Sequence, residues 1–418
     1  MTKDTSRNDA PDLTPLLDIA REIGAVLDLD TLIRNIEEAA LSTLDCERVS
    51  LFLFDADSDV LWSRFATGTD EIRFPADQGI AGETLRKGVP INIRDAYADN
   101  RFNQDVDKAT GFTTRNILSV PMFGHDGSPV GVLQVLNKKA GHFETSDEKI
   151  AVTFCSLTGV AVQRQRLLDE FAEKQKMTHD LEIAREIQES LLPEASPIVK
   201  GYDIAAWSRP AEETGGDTYD FIELQDGKWA IVLADASGHG IGPALIAAEC
   251  RALFRALTTV TEDLVEIVTK ANRILHRDLS GDRFLTVFFG ILDPTSGGLD
   301  YVSAGQTPLL HFRKLEDECK IIGATTFPMG LLSDMFGLES QSIQLEAGDT
   351  FLLASDGYYE WMNVNEEEFG TDPVIDLLRS TSSLSADQVI VELNNAVKEF
   401  AGPVEQGDDL TAVVIRRK

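Results

Sequence analysis

The chain is short of cysteine, of histidine and of positive charge. Its four cysteines, Cys46, Cys155, Cys250 and Cys319, are scattered without any short paired spacing, which argues against a disulfide framework or a cysteine-based zinc site. They read as buried free thiols. Lysine and arginine number 38 against 70 aspartates and glutamates, for a net charge of −32. Such a surface repels nucleic acid and anionic lipid, so neither is expected as a partner, and it leaves carboxylates free to hold cations. No run of about 18 apolar residues is present to span a membrane. The opening MTKDTSRNDAPD has no apolar core to serve as a secretory signal, and a cytoplasmic location is expected. What is present is 418 residues, 43% of them hydrophobic, enough for two or three domains with separate cores.

Hydrophobic spacing divides the chain. Leu16, Leu17, Ile19, Ala20, Ile23 and Leu27 recur at helical intervals, which predicts a leading helix from Leu13 to about Ile36. Two β-rich runs follow, VSLFLFDADSDVLWSRF and ILSVPMFGHDGSPVGVLQVLN, each broken by an Asp or Gly cluster as hairpins require. From Asp147 to Leu192 there is no proline and, after Gly159, no glycine, so one long helix is predicted. Met177, Leu181, Ala184, Gln188 and Leu191 alternate spacings of four and three along it, a coiled-coil seam weakened by Ala184 and Gln188. Pro193 ends the helix. Beyond it the strand-like runs WAIVLAD, FLTVFFGIL, DTFLLASD and LTAVVIR alternate with helical segments Gly242 to Thr258 and Asp263 to Leu279, a pattern of packed sheets with helices outside.

Within this last region four acidic positions share one setting, at the end of an apolar strand or in a glycine turn. They are Asp217 in GGDTYDF, Asp235 in VLADASGHG, Asp356 in FLLASDGYYE, and Asp408 or Asp409 in QGDDLTAVVI. One Asp beside Gly is usually only a turn; four in this order point to an oxygen-rich site for Mg²⁺ or Mn²⁺. Two such ions about 3.5 to 4 Å apart make a hydroxide from water and neutralise a phosphoryl group, with no covalent nucleophile needed. His239 in SGHG is a candidate to protonate a leaving oxygen, against the plainer reading that it fills a turn. His276-Arg277-Asp278-Leu279 copies a kinase signature without the other kinase motifs, and His179-Asp180 sits on the long charged helix. Both are read as helix features, not sites.

GGDTYDF, ADASGHG, SAGQTPLL, the Gly-Asp then Ser-Asp-Gly segment and GDDLT resemble, in order, the motifs of metal-dependent protein phosphatases of the 2C type. The branch is that of the bacterial sporulation phosphatase IIE and its stress-response relatives. The resemblance implies an αββα sandwich over residues 193–418 with two or more Mn²⁺ or Mg²⁺ ions between its sheets. It implies that Asp235 bridges them, that the Ala236 carbonyl joins the shell, and that Asp356 and Asp408 complete it. Asp217 stands beside the site, and Asp409 is the alternative to Asp408. It further implies a phosphoserine or phosphothreonine protein as substrate, of the anti-sigma-factor antagonist class. Gln306 departs from a histidine common in this branch and cannot exchange protons near neutral pH.

Residues 13–162 resemble a GAF domain, an antiparallel sheet with helices, in the flavour of cyclic-nucleotide phosphodiesterases. The carrying stretch runs from EIRFPADQGIAGETLRKG to TTRNILSVP, with Asn137-Lys138, Phe143 and Asp147-Glu148 behind it. The resemblance implies cyclic AMP or cyclic GMP against Ser50, Phe65, Ile80, Ala81, Thr110 and Thr114, with Lys138 and Asp147 locking the fold as a salt bridge. A GAF domain that binds nothing and only dimerises is the competing reading.

Together these expectations describe an α+β multidomain chain: sensor, coiled-coil linker helix over residues 163–192, and phosphatase. The linker resembles the segment that precedes this phosphatase branch and predicts a parallel homodimer. The rival readings are a catalytically silent scaffold for partner switching and, more weakly, a nucleotide hydrolase, for which no base-recognition motif is present.

Overall fold

The computed structural model describes residues 28–63, 72–279 and 283–418; the leading helix predicted from Leu13 to about Ile36 lies outside them up to residue 27, and its remainder falls in a helix that starts at Leu29 after an extended Asp28. The chain divides into two compact units after Lys176. The N-terminal unit holds α1 (Leu29–Leu44), β1 (Cys46–Asp55), β2 (Val60–Ser63), β3 (Ile72–Pro75), α2 (Gly79–Lys87), β4 (Ile91–Ile93), α3 (Gln104–Thr110), β5 (Ile117–Phe123), β6 (Pro129–Lys138) and the first part of α4 (Thr145–Leu191). Helix α1 starts where the Asp28 side chain accepts from the Thr31 amide, the expected use of an acidic N-cap.

The six strands form one antiparallel sheet in the order β3-β2-β1-β6-β5-β4. Side chains alternate across a strand, and this period sorts β1. Val49, Leu51 and Leu53 pack with Leu32, Ile33 and Ile36 of α1 and Phe154 of α4. Arg48, Ser50 and Phe52 instead face a cavity on the opposite side. Behind β6, Lys138 Nζ meets Asp147 Oδ1 at 2.9 Å and the Leu44 carbonyl at 3.0 Å, the lock expected from the sequence.

The C-terminal unit adds β7 (Tyr202–Arg209), β8 (Asp217–Glu223), β9 (Trp229–Ala236), α5 (Ile241–Thr258), α6 (Leu264–Asp278), β10 (Leu285–Leu292), β11 (Gly298–Ala304), β12 (Leu309–Arg313) and β13 (Glu318–Ile322). It continues with β14 (Gln341–Gln344), β15 (Thr350–Ala354), α7 (Gly357–Glu360), α8 (Asp372–Ser380), α9 (Ala386–Ala401) and β16 (Leu410–Arg417). Two antiparallel five-stranded sheets result, β14-β11-β10-β9-β8 and β13-β12-β15-β16-β7. Alternation again assigns the faces. On β9, Ala230, Val232 and Ala234 pack under α5 and α6 with Phe254 and Leu275. Ile231 and Leu233 meet Phe351, Leu353, Val413 and Ile415 of the other sheet. The second sheet's outer residues, Leu352, Ala354 and Val414, pack on Val374, Leu393 and Val397 of α8 and α9. Each fully buried Leu or Phe contributes about 1.5 to 3 kcal/mol, so the three apolar layers hold a four-layer αββα sandwich.

The sequence motifs set aside as helix features sit where that reading puts them. Arg277 pairs with Asp278 at the end of α6, and His276 Nδ1 lies 2.8 Å from the Gly330 carbonyl. His179 and Asp180 are exposed on α4. Among the described residues the four cysteines are free, three of them buried and Cys319 half-buried. No helix among those residues is long and apolar enough to cross a membrane.

Candidate active site

The parity that buries Ile231 and Leu233 between the sheets also points Asp235 there, at the strand end where the sandwich opens. Asp217 shares a face with Tyr219 and Phe221 and is the cross-strand partner of Asp235. From the opposite sheet, Asp356 follows β15 and starts α7, while Asp408 and Asp409 precede β16. The chain thus delivers carboxylates from both sheets to one edge. Asp235, Asp356 and Asp408 line a cleft of about 300 Å³ with Ser237, Gly238, His239, Phe284 and Thr286.

Electrostatics shows what such a cleft requires. Burial, then the charges of Asp356, Asp408 and Asp409, push Asp235 up to about 7. Burial, then Asp408 and Glu360, raise Asp356 to about 6. Asp217 is raised well above the usual carboxylate range by burial and by Asp235 and Asp409, against the opposing hydroxyls of Thr411 and Ser355. Several carboxylates in one low-dielectric cleft ionise together only if positive charge is supplied.

These residues fit hard cations. Among the described residues no three His, Cys, Asp or Glu side chains close on one point tightly enough to hold an ion by themselves. Mg²⁺, however, keeps several waters and takes one or two carboxylates plus substrate phosphate oxygens, and carbonyl oxygen suits Mg²⁺ and Mn²⁺ as a further ligand. The carbonyl is provided: Gly216 lies so close to Ala236 that a Cβ there would stand 2.6 Å from the Ala236 oxygen, and the Ala236 amide donates to the Gly216 carbonyl at 3.1 Å. Any side chain at 216 would collide with that oxygen.

Asp408 and Asp409, left open by the sequence, occupy different places. Asp408 is exposed on the cleft wall. Asp409 is buried and spends its oxygens on backbone amides, Ala211 at 2.7 Å and Asp217 at 3.2 Å. It braces the turn that carries Asp217. Gln306 is also a brace: it accepts from Thr286 at 2.7 Å and donates to the Ala354 carbonyl at 2.9 Å, tying one sheet to the other. His239 is exposed, its Nδ1 3.0 Å from Glu212 Oε1.

Gln188, which weakens the predicted coiled-coil seam, has a specific job. Its Nε2 donates to the Gly215 carbonyl at 2.6 Å and its Oε1 accepts from the Gly215 amide at 3.1 Å. The last turns of α4 are therefore fastened two residues from Asp217. Leu181, Ala184 and Leu191 are half-buried, while Ile183 and Ile187 are exposed.

The N-terminal cavity measures about 350 Å³. Ser50, Ile80, Ala81 and Thr114 line it; Phe65 lies outside the described residues, as does the side chain of Thr110. The N-cap of α2, Gln78, makes no side-chain capping bond, and first-turn residues Gly79, Ile80 and Ala81 border the cavity. Sequence reasoning missed Arg48, two residues before Ser50 and so on the same face. It is nine-tenths buried, lines the cavity and lies 4.9 Å over the Phe112 ring. Asp107 is locked by the Thr114 amide at 2.6 Å, the Thr114 hydroxyl at 2.8 Å and the Tyr97 hydroxyl at 3.1 Å.

Comparison with known proteins finds a match for each unit. Residues 225–418 match the family model described as Stage II sporulation protein E, and residues 28–162 match that of the GAF domain. The chain joins a GAF domain to a SpoIIE-type PP2C phosphatase domain. The SiaA-PP2C domain of Pseudomonas aeruginosa superposes with a TM-score of 0.53 at 22% identity, covering 59% of this chain and 99% of that one, which supports the phosphatase fold. The RsbU and RsbW domains of Rv1364c from Mycobacterium tuberculosis align at 26% identity and a TM-score of 0.46, over 55% of this chain and 63% of that one. A probable 3',5'-cyclic phosphodiesterase, pde-5 of Caenorhabditis elegans, is 35% identical over 176 residues, 38% of this chain and 24% of that protein. This chain thus spans about a quarter of that curated relative.

Proposed function

We propose that the protein is a Mn²⁺- or Mg²⁺-dependent phosphoprotein phosphatase for phosphoserine or phosphothreonine, governed by a cyclic nucleotide in its GAF domain. The observation that carries the reading is the convergence of Asp235, Asp356 and Asp408 from two sheets on one cleft, with Asp235 and Asp356 held well above the usual carboxylate range. Asp235, the Ala236 carbonyl, Asp356 and Asp408 would hold the ions, with Asp217 beside them. When bound, such ions supply an activated water and neutralise the phosphoryl oxygens. The chain's own residues do the rest. Asp409 and Gly216 fix the backbone that presents Asp217 and the Ala236 oxygen. His239, with Nδ1 facing Glu212, keeps Nε2 as the atom able to hand a proton to the departing serine oxygen. The substrate class proposed is the anti-sigma-factor antagonist implied by the resemblance of the C-terminal motifs.

The GAF cavity supports a purine cyclic monophosphate as regulator. It offers apolar walls at Ile80 and Ala81, hydroxyls at Ser50 and Thr114, first-turn α2 amides suited to a phosphate, and the Arg48 guanidinium. The named activity of the C. elegans relative is in keeping with such a ligand. The signal would travel along α4, whose end Gln188 fastens to Gly215. Exposed Val160, Leu167 and Phe171 on that helix support a parallel homodimer. The test is turnover of p-nitrophenyl phosphate and a phosphoserine protein with Mn²⁺ or EDTA, with and without cyclic AMP or cyclic GMP. The reading expects metal-dependent turnover that either nucleotide changes several-fold. Metal-dependent turnover indifferent to both nucleotides removes the sensor role and leaves the phosphatase.

A further inference from the structure

The catalytic cleft of about 300 Å³ is far smaller than a folded protein, so most of the contact with a folded substrate must lie on its rim. One side of that rim is built from two segments. The Ser237 amide donates to the Phe284 carbonyl at 2.9 Å and the Phe284 amide to Ser237 Oγ at 3.1 Å, joining the turn before α5 to the start of β10. Next to it, Leu285 and Met329 exchange backbone hydrogen bonds at 2.9 and 2.8 Å. The loop beyond Met329 is pinned by α6: Asn272 accepts from the Gly330 amide and donates to the Leu332 carbonyl, both at 2.9 Å, and His276 meets the Gly330 carbonyl.

Although Ile246 and Met335 anchor these segments in the core, several of their apolar side chains are turned to solvent. Ile241 and Leu245, one turn apart on α5, are exposed, Leu245 by 66%; Leu331, Leu332 and Phe336 are exposed on the loop. Between the two segments lies exposed Arg283, its guanidinium 3.3 Å from where a Cβ on Gly242 would stand. Apolar side chains held outward by a rigid scaffold beside a reaction cleft mark a protein-binding surface.

We propose that this face, Ile241, Leu245, Leu331, Leu332 and Phe336 around Arg283, is where the folded phosphoprotein substrate docks. This rests on the phosphatase reading above. Two features select the substrate as occupant. The face is continuous with the cleft through Phe284 and Ser237. Its charge also suits this occupant: the acid within the loop, Asp334, lies 3.5 Å from Arg273, and Arg283 offers a cation to an acidic group near the phosphoserine. The apolar side chains supply affinity, and Arg283 supplies register.

The experiment compares the wild type with Leu245→Glu and Leu331→Glu, using Mn²⁺ and three probes. These are a folded phosphoserine anti-sigma-factor antagonist, the phosphoserine peptide cut from it, and p-nitrophenyl phosphate. Each substitution is expected to lower kcat/KM for the folded phosphoprotein at least ten-fold, through KM, with peptide and p-nitrophenyl phosphate within two-fold of wild type. Equal losses on all three probes, or no loss on any, overturn the docking face. So does a changed oligomeric state by light scattering with phosphoprotein turnover intact, since the face then belongs to a second copy. Wild-type turnover of p-nitrophenyl phosphate but not of the phosphoprotein also overturns it. Failure of the wild type to hydrolyse p-nitrophenyl phosphate strikes the phosphatase reading itself.

Discussion

The GAF cavity of about 350 Å³ and the phosphatase cleft of about 300 Å³ are close in size, and their walls ask for different things. The GAF cavity has its acid, Asp107, already satisfied by Thr114 and Tyr97, and a buried arginine facing inward. It needs no cation and suits an anionic ligand with an apolar body. The phosphatase cleft gathers Asp235, Asp356 and Asp408, with Asp235 and Asp356 raised by burial and by neighbouring acids, beside a turn where only glycine fits against the Ala236 oxygen. It is incomplete until positive charge arrives. On the proposed reading, one cavity is suited to sensing and the other to chemistry that a bound metal would supply.

Substitutions that strike one cavity and spare the other test this contrast. The largest effect is expected from Gly216→Ala. A Cβ 2.6 Å from the Ala236 oxygen must displace the turn, and Mn²⁺-dependent turnover should fall by about 100-fold, as for loss of a metal-shell contact, while nucleotide binding measured by calorimetry is retained. Ile80→Asp does the converse. A carboxylate at the first turn of α2 should repel the phosphate and weaken nucleotide binding at least about ten-fold; undiminished affinity would detach the cavity from the proposed ligand. Gln188→Ala removes two hydrogen bonds to Gly215, each worth about 1 kcal/mol, and kcat should fall roughly three- to ten-fold with protein fold and nucleotide affinity preserved.

The smallest effect is on stability. Glu37 on α1 is buried with Oε1 unpartnered, and burial raises it from 4.5 to about 7, opposed only by the Leu51 backbone. A raised carboxyl contributes stability that is complete below its unfolded value and lost as pH climbs through its folded one. The GAF unit should thus weaken by on the order of 2 kcal/mol between pH 4.5 and pH 8. Glu37→Gln should flatten that slope in thermal unfolding, with little change in the phosphatase transition.

Much of the fold was legible because strand parity is a local property. VSLFLFD and WAIVLADA already place Ser50 and Asp235 on the inner faces of their sheets, and the proline-free run to Leu192 announces α4. The roles of single polar residues were less so. Asp408 and Asp409 are adjacent and chemically identical, and only the amides of Ala211 and Asp217, some 200 residues away, make Asp409 a brace. Gln188 looks like a flaw in a heptad until Gly215 is placed against it. Gln306 looks like a lost histidine until it is seen joining Thr286 to Ala354. Arg48 was readable in principle, since it shares parity with Ser50; an arginine in a β-strand is normally assigned to solvent, and its burial follows from tertiary packing.

The central claim is that carboxylates from two sheets become a catalytic centre when cations join them. The direct measurement is initial rate against Mn²⁺ concentration with a phosphoserine protein, for the wild type and Asp235→Ala. The account predicts saturable, EDTA-reversible activation of the wild type and a loss of at least about 100-fold in Asp235→Ala that excess Mn²⁺ does not restore. Wild-type-like turnover by Asp235→Ala, or wild-type turnover undiminished in EDTA, would contradict it.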